Sequence, residues 1–433
     1  MSGARLEFLP GRADLFAIHA RNPARYPVLL ESASGGDWDM LMALPQEVRL
    51  FAASPTQAYE FFTALAQIER HEPDPSLHDI PFRGGWFAFL GYELLHALEP
   101  SVPWPTLDSD FPLAALMRIP AAILVDRRHE RTAIFGEESG MVDILRAEAS
   151  HVTRPVCEPG ELQIEEEAPQ GFLDGVARIH DYIREGDVFQ VNLARRWQAH
   201  ARSPIDARAL YQRLREKNPA PFAGLADFGL QQIVSSSPER LVRVTRGIVE
   251  TRPIAGTHPR SDDPREDHAL RERLLAHPKE RAEHIMLVDL ERNDLGKICA
   301  PGTVTVSELM ALRTYTHVHH IESEVQGRLR SDIQPADVLK AVFPGGTITG
   351  CPKVRTMQII RELEATPRFA YTGSMGYINH DGDMDFNILI RSFMVHGASL
   401  TFKAGAGIVA DSDPDRELAE TRAKAKGLLR ALT

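Results

Sequence analysis

Two glutamates and a lysine near the C-terminus are spaced for chemistry. Glu417, Glu420 and Lys424 follow a strong helix start, with Asp413 as N-cap and Pro414 at the first helical position. At ~3.6 residues per turn they fall on one face, and Leu418, Ala425 and Leu429 make the apolar stripe, so the spacing predicts a helix to about 429. Just upstream, Gly405, Ala406 and Gly407 give a strand whose backbone a ligand can approach closely. Alone, such a face reads as a solvated Glu-Lys pair at i,i+4. A further carboxylate adds weight: Glu283 shares a helical face with Leu287 and Leu290, and a carboxylate on an apolar face must be paired or bound to a cation.

Other reactive groups sit where apolar strands end. In the strand read over 187–195, alternation puts Val188, Gln190 and Asn192 on one side, and a buried amide there must find partners. Residues 218–222, 235–240 and 251–257 are polar or proline-rich loops at strand ends, positions where sites are built but which turn chemistry also explains. His317 and His319 alternate against His320 with no HExxH or cysteine partner, a poor zinc pattern. Residues 343–353 resemble a phosphate loop only superficially, since Cys351 and Pro352 stand where Lys-Ser/Thr is required; a helix opened by Pro352 still favours an anion.

These groups need a frame. Helical spacing appears over 56–70, from Phe172 to Ile183 with a stop at Gly186, over 264–283 and on through Glu283, and over 352–363; residues 82–92, 371–378 and 385–391 read as strands, and 114–125 with 131–135 as a hairpin. Residues 151–170 carry prolines, a glycine and an acidic run without apolar period and read as a linker, dividing an N-terminal portion, 1–160, from 161–433. A 433-residue chain with 43% hydrophobic residues buries a large core. Its net charge of -11 disfavours nucleic acid and anionic membrane surfaces as partners. Three widely spaced cysteines, Cys157, Cys299 and Cys351, make neither a disulfide framework nor a zinc set, and no uncharged apolar run reaches ~18 residues, so a cytoplasmic protein is expected.

Taken together, the ordered segments GDVFQVNLARR (186–196), SSSPERL (235–241), PIAGTHPR (253–260), EHIMLVDLERNDLG (283–296), FPGGTITGCPKVR (343–355), TGSMGY (372–377), ILIRS (388–392) and GAGIVADSDPDRELAETRAKA (405–425) resemble the chorismate-utilising enzymes, the large subunits of anthranilate synthase and aminodeoxychorismate synthase. The resemblance implies an α/β (α+β) fold: one large domain of two packed antiparallel β-sheets flanked by helices, the site in a cleft between them. It implies Mg2+ held by Glu283 and Glu420 with Glu417 beside the ion, and chorismate's other carboxylate against Tyr371, Arg391 and the amides of Gly405, Ala406 and Gly407, with Lys424 and Thr257 nearby. Glu239 is expected to be the general acid for the departing C4 hydroxyl and His320 an acid/base or orienting group. Relatives that add water carry lysine at position 190; Gln190 cannot be that base, so ammonia from a separate glutamine amidotransferase subunit is the expected nucleophile. Leu30, Glu31 and Ser32 with Asn218, Pro219 and Phe222 resemble two halves of an effector pocket that holds tryptophan, as an inhibitor or a structural ligand. The Ala-Pro-Phe at 220–222 departs from the regulated pattern, so weak or absent inhibition is expected. Ala255 stands where many aminodeoxychorismate synthases carry a covalent lysine, and the anthranilate synthases this chain resembles have alanine there as well. The balance of segments favours aminodeoxychorismate synthase component I; the alternatives are anthranilate synthase component I and a non-catalytic paralogue.

Overall fold

The apolar run 114–125 does not form one strand. Pro120 divides it into Ala114–Ile119 and Ala121–Asp126, which enter different sheets. Proline has no N–H for a ladder, so a chain that changes sheets does so naturally there. The expected hairpin is made by the second half alone, Ala121–Asp126 against Arg131–Gly136. In this computed structural model residues 4–433 are described apart from 34–35, 73, 150–157, 159, 262, 277 and 315–317, and apart from the side chains of 255, 257–259, 278–279 and 318.

Two antiparallel sheets result. The first runs Arg5–Pro10, Arg131–Gly136, Ala121–Asp126, Trp38–Ala43, Val28–Glu31, Phe222–Asp227, Gln231–Ser237, Ser392–His396, Ser399–Ile408, Gln190–His200 and Gly350–Cys351, with Gln163–Glu166 also on Gln190–His200. The second runs Ile254–Pro259, Val318–Arg328, Ile248–Thr251, Arg240–Thr245, Met384–Asn387, Ser374–Asn379, Gly85–Leu90, Ala114–Ile119 and Glu47–Phe51, with Thr305–Thr314 also on Val318–Arg328. Val28–Glu31 pairs with Phe222–Asp227, and Gly85–Leu90 with Ser374–Asn379, so both sheets interleave strands from the two sides of the 151–170 segment.

One buried cluster takes Val28, Met40 and Met42 from the first sheet and Phe87, Phe89 and Met375 from the second, and is the layer where the sheets meet. A second cluster covers the outer face of the first sheet, where Leu29, Trp197 and Phe402 meet Leu210 and Leu214 of the helix Ala207–Lys217 and Ala425 and Leu428 of the helix Pro414–Leu432. That last helix starts as expected, Asp413 accepting from the amide of Arg416 at 2.9 Å, and runs past 429 to the chain end. The charged stretch from 264 is two helices, Pro264–Ala276 and Pro278–Gly296. Pro352 caps the helix Lys353–Leu363 rather than entering it. Among the described residues no helix is long and apolar enough to cross a membrane.

Candidate active site

Gln190 and Asn192 leave the strand Gln190–His200 on one face, and its neighbour Ser399–Ile408 meets them with glycines. Asn192 pairs directly with Gly407. A Cβ on Gly407 would lie 2.4 Å from Gln190 Nε2, and one on Gly405 would lie 2.6 Å from Asn192 Oδ1 and 2.9 Å from the Tyr371 hydroxyl. Glycine is required at both positions because these side chains fill the space. Ser392–His396 pairs with Ser399–Ile408 only up to Thr401, so residues 404–408 keep one edge outside any described ladder, where the Gly405 carbonyl accepts from Lys424.

Glu239 stands at the junction of Gln231–Ser237 and Arg240–Thr245, 6% exposed, with its Oε1 buried and unpartnered. Burial pushes its carboxyl up to about 7, against the opposing pull of the Thr347 hydroxyl and the Ile254 backbone, so the proton is retained near neutrality. His320, on Val318–Arg328, is driven down to about 4 by burial and by the nearby Arg391 guanidinium, and is therefore neutral. Arg391 adopts a positive φ of 53°, its pKa lowered by burial and only partly supported by Glu239. It makes no ion pair with a described residue. A desolvated guanidinium in that state fits a bound carboxylate. Lys424 closes the site from the last helix, its Nζ 2.9 Å from the Gly405 carbonyl and 2.7 Å from Glu420.

The expected metal ligands are not drawn together. Among the described residues no three His, Cys, Asp or Glu side chains are gathered to hold a metal ion, and Glu420 is engaged with Lys424. Glu283 and Glu417 are each half-buried, on Pro278–Gly296 and Pro414–Leu432. The donors are hard carboxylate oxygens of the kind Mg2+ takes, and Mg2+ commonly uses one or two of them beside water and substrate oxygens; a preassembled three-carboxylate site is absent from this set. Ala255 and Thr257 belong to Ile254–Pro259, where their backbones oppose Ile321 and His320, but their side chains lie outside the described residues. His317 lies outside them too, and His319 is spent on Asp267 at 2.8 Å.

Leu30, Glu31, Ser32 and Phe222 line a cavity of about 470 Å3 between the sheets, together with Met375, Tyr377 and Asp385. Asn218 and Pro219 do not line it: Asn218 Nδ2 donates to Ser236 Oγ at 3.0 Å on the other side of that strand, because the chain turns between 218 and 221. The Glu31 carboxylate accepts from the Tyr211 hydroxyl at 2.5 Å and pairs with Arg215 at 3.1 Å.

Three contributors escaped the sequence reading. Thr347 brings a buried hydroxyl to Glu239 from the loop read only as an anion site. Glu291, 7% exposed, is pushed up to about 7 by burial and then by Asp294, and also feels Glu239; its place one turn beyond Leu287 was the available signal. Arg368, fully buried, pairs with Glu364 at 2.5 Å and donates to the carbonyls of Asn192 at 2.8 Å and Ile348 at 3.1 Å, fixing the floor of the site from below. Lys353, at the start of the helix that follows the loop 343–352, is held by Asp294 at 2.6 Å.

Residues 25–430 match the family model described as chorismate binding enzyme. The chain is 38% identical to an anthranilate synthase component I-like protein of Synechocystis, over 94% of this chain and 85% of that one. It is also 38% identical to aminodeoxychorismate synthase component 1 of Bacillus subtilis, over 94% and 92%. Its structure resembles anthranilate synthase component I from Streptococcus pneumoniae with a TM-score of 0.79 at 31% identity, over 91% and 92% of the two chains. With a buried glutamate that keeps its proton, a guanidinium without an ion pair among the described residues and a glycine strand open along one edge, the chain, matched from 25 to 430, belongs to the chorismate-binding enzyme family.

Proposed function

We propose that the chain is component I of an aminodeoxychorismate synthase, converting chorismate and ammonia to 4-amino-4-deoxychorismate and water for the folate branch, the ammonia coming from a separate glutamine amidotransferase subunit. The observation that carries amination is the combination of one buried acid that keeps its proton, Glu239, with two buried neutral amides, Gln190 and Asn192. Water must lose a proton to attack, and an amide cannot take it; ammonia attacks as it is. Glu239 gives its proton to the departing C4 oxygen as the C–O bond breaks toward oxygen, the nitrogen lone pair forms the C–N bond, and the new ammonium returns one proton to Glu239. Arg391, Tyr371 and the free edge at 404–408 hold a chorismate carboxylate, and Lys424 adds positive charge. Mg2+, recruited by Glu283 and Glu420 with Glu417 in support, would neutralise the other carboxylate.

The site of amination is favoured by a match over almost the whole length of the Bacillus aminodeoxychorismate synthase component. Ala255 favours the second reading, anthranilate synthase, and closes the covalent-lysine route at that position. Incubation with chorismate, Mg2+ and ammonium, with and without 4-amino-4-deoxychorismate lyase, decides between them: 4-aminobenzoate that depends on the lyase supports the proposal, and fluorescent anthranilate formed without it replaces the proposal with the alternative.

A further inference from the structure

We propose that Asn192, together with Gln190, seats the amine nucleophile, so that Asn192 is a specificity-determining residue for nitrogen over oxygen. The inference rests on the amination reading above and goes past it by assigning the place where ammonia binds. Asn192 and Gln190 are 9% and 8% exposed, two residues apart on one strand face, and both side-chain oxygens, Asn192 Oδ1 and Gln190 Oε1, are buried without a hydrogen-bond partner. The backbone of Asn192 is satisfied on both sides. The Asn192 amide donates to the Thr349 carbonyl at 2.8 Å and its own carbonyl accepts from Arg368 at 2.8 Å, so the backbone holds the side chain in place. Across the ladder, Gly405 and Gly407 are bare where any Cβ would strike these two amides.

Two buried acceptors side by side ask for a ligand rich in donors. Chorismate offers them little: its carboxylates and ether oxygen are acceptors, and its one hydroxyl is the group Glu239 protonates. Ammonia carries three N–H donors and one lone pair, and can donate a hydrogen bond to each amide oxygen while the lone pair faces the ring. Water could donate to both oxygens as well, but neither amide takes the proton it must lose, so the seat leaves water unreactive. On attack the nitrogen leaves the seat with its new bond to carbon, and the proton it sheds goes to Glu239. The amides are unchanged at the end of the cycle.

The test compares Asn192→Leu and Asn192→Asp with the unaltered chain, with chorismate, Mg2+ and ammonium chloride at alkaline pH. Removing the acceptor in the leucine variant is expected to raise KM for ammonium about tenfold while KM for chorismate stays within about twofold, and the aspartate variant, which keeps an acceptor of the same shape, is expected to retain the ammonium KM. An ammonium KM unmoved by leucine overturns the seat, as does a chorismate KM that rises in step. If the leucine variant does not melt cooperatively, Asn192→Ser is judged by the same two constants. Product without nitrogen from the unaltered chain overturns the amination reading and the seat together, whereas aminated product with an unmoved ammonium KM overturns the seat alone.

Discussion

The ammonium group of Lys424 donates to the carbonyl of Gly405 at 2.9 Å, tying the last helix to the strand along the edge that no described ladder covers. Glu420 accepts from the same group at 2.7 Å, so one cation connects helix, strand and carboxylate. Replacing Lys424 by methionine keeps the stem and removes the charge. KM for chorismate should rise about tenfold or more, since a charge-assisted contact is worth ~1.5–3 kcal/mol, and the melting temperature should move little because the pair is half exposed. Steady-state kinetics in chorismate checks it; an unchanged KM means that Lys424 serves the scaffold only.

Local pattern gave the single elements and stopped where the sheets begin. The helix Pro414–Leu432 was legible because Asp413, Pro414 and the apolar stripe agree. The split at Pro120 was not, because Ala114–Ile119 and Ala121–Asp126 are equally apolar and only the sheet each joins distinguishes them. Two packed antiparallel sheets followed from the resemblance, not from periodicity. In the site, Gln190 and Asn192 were placed on one strand face by alternation alone, but Thr347, Glu291 and Arg368 reach the floor through packing between distant segments, which no local spacing encodes. Glu283, Glu417 and Glu420 share their chemistry without being gathered at one point.

Protonation of Glu239 sets a pH limit. Its carboxyl is neutral below about 7 and ionises above it. As an acid it is lost as pH rises, so kcat/KM should fall about tenfold per unit on the alkaline side, and Glu239→Gln should lower kcat at least ~100-fold and abolish that limb. Glu291 supplies an independent reading of the same physics. With its folded pKa raised from 4.5 to about 7, the unfolded chain releases its proton first, so its burial costs stability progressively as pH climbs through that window. Glu291→Gln removes the cost. The variant should match the parent at pH 5 and be more stable by roughly 1–3 kcal/mol at pH 8.5, read by denaturant melts at both values; equal stability at pH 8.5 would show that Lys353 already compensates the charge.

The proposed use of Mg2+ is tested on two carboxylates carried by different helices. Glu283→Gln or Glu420→Gln should each reduce turnover by ~100-fold or more and weaken Mg2+ activation, with the fold intact by circular dichroism. EDTA should silence the parent chain reversibly. Full activity of both variants in EDTA removes Mg2+ from the reaction.

Tryptophan is a different question, because the cavity between the sheets is already furnished. The Arg240 guanidinium lies 5.0 Å from the centre of the Phe222 ring and is locked there by Asp385 at 2.9 Å and Glu250 at 3.2 Å. An indole entering beside Phe222 must displace that cation from the aromatic face and disturb two ion pairs. The Glu31 carboxylate, which could otherwise receive the ligand's ammonium, is taken by Tyr211 and Arg215. Each displaced contact subtracts from the binding free energy, and about 1.4 kcal/mol lost is a tenfold weaker Kd. Tryptophan should therefore leave most of the activity intact at about 1 mM and bind no tighter than roughly 100 μM by calorimetry, and inhibition at low micromolar concentration would show that Arg240 swings aside at little cost.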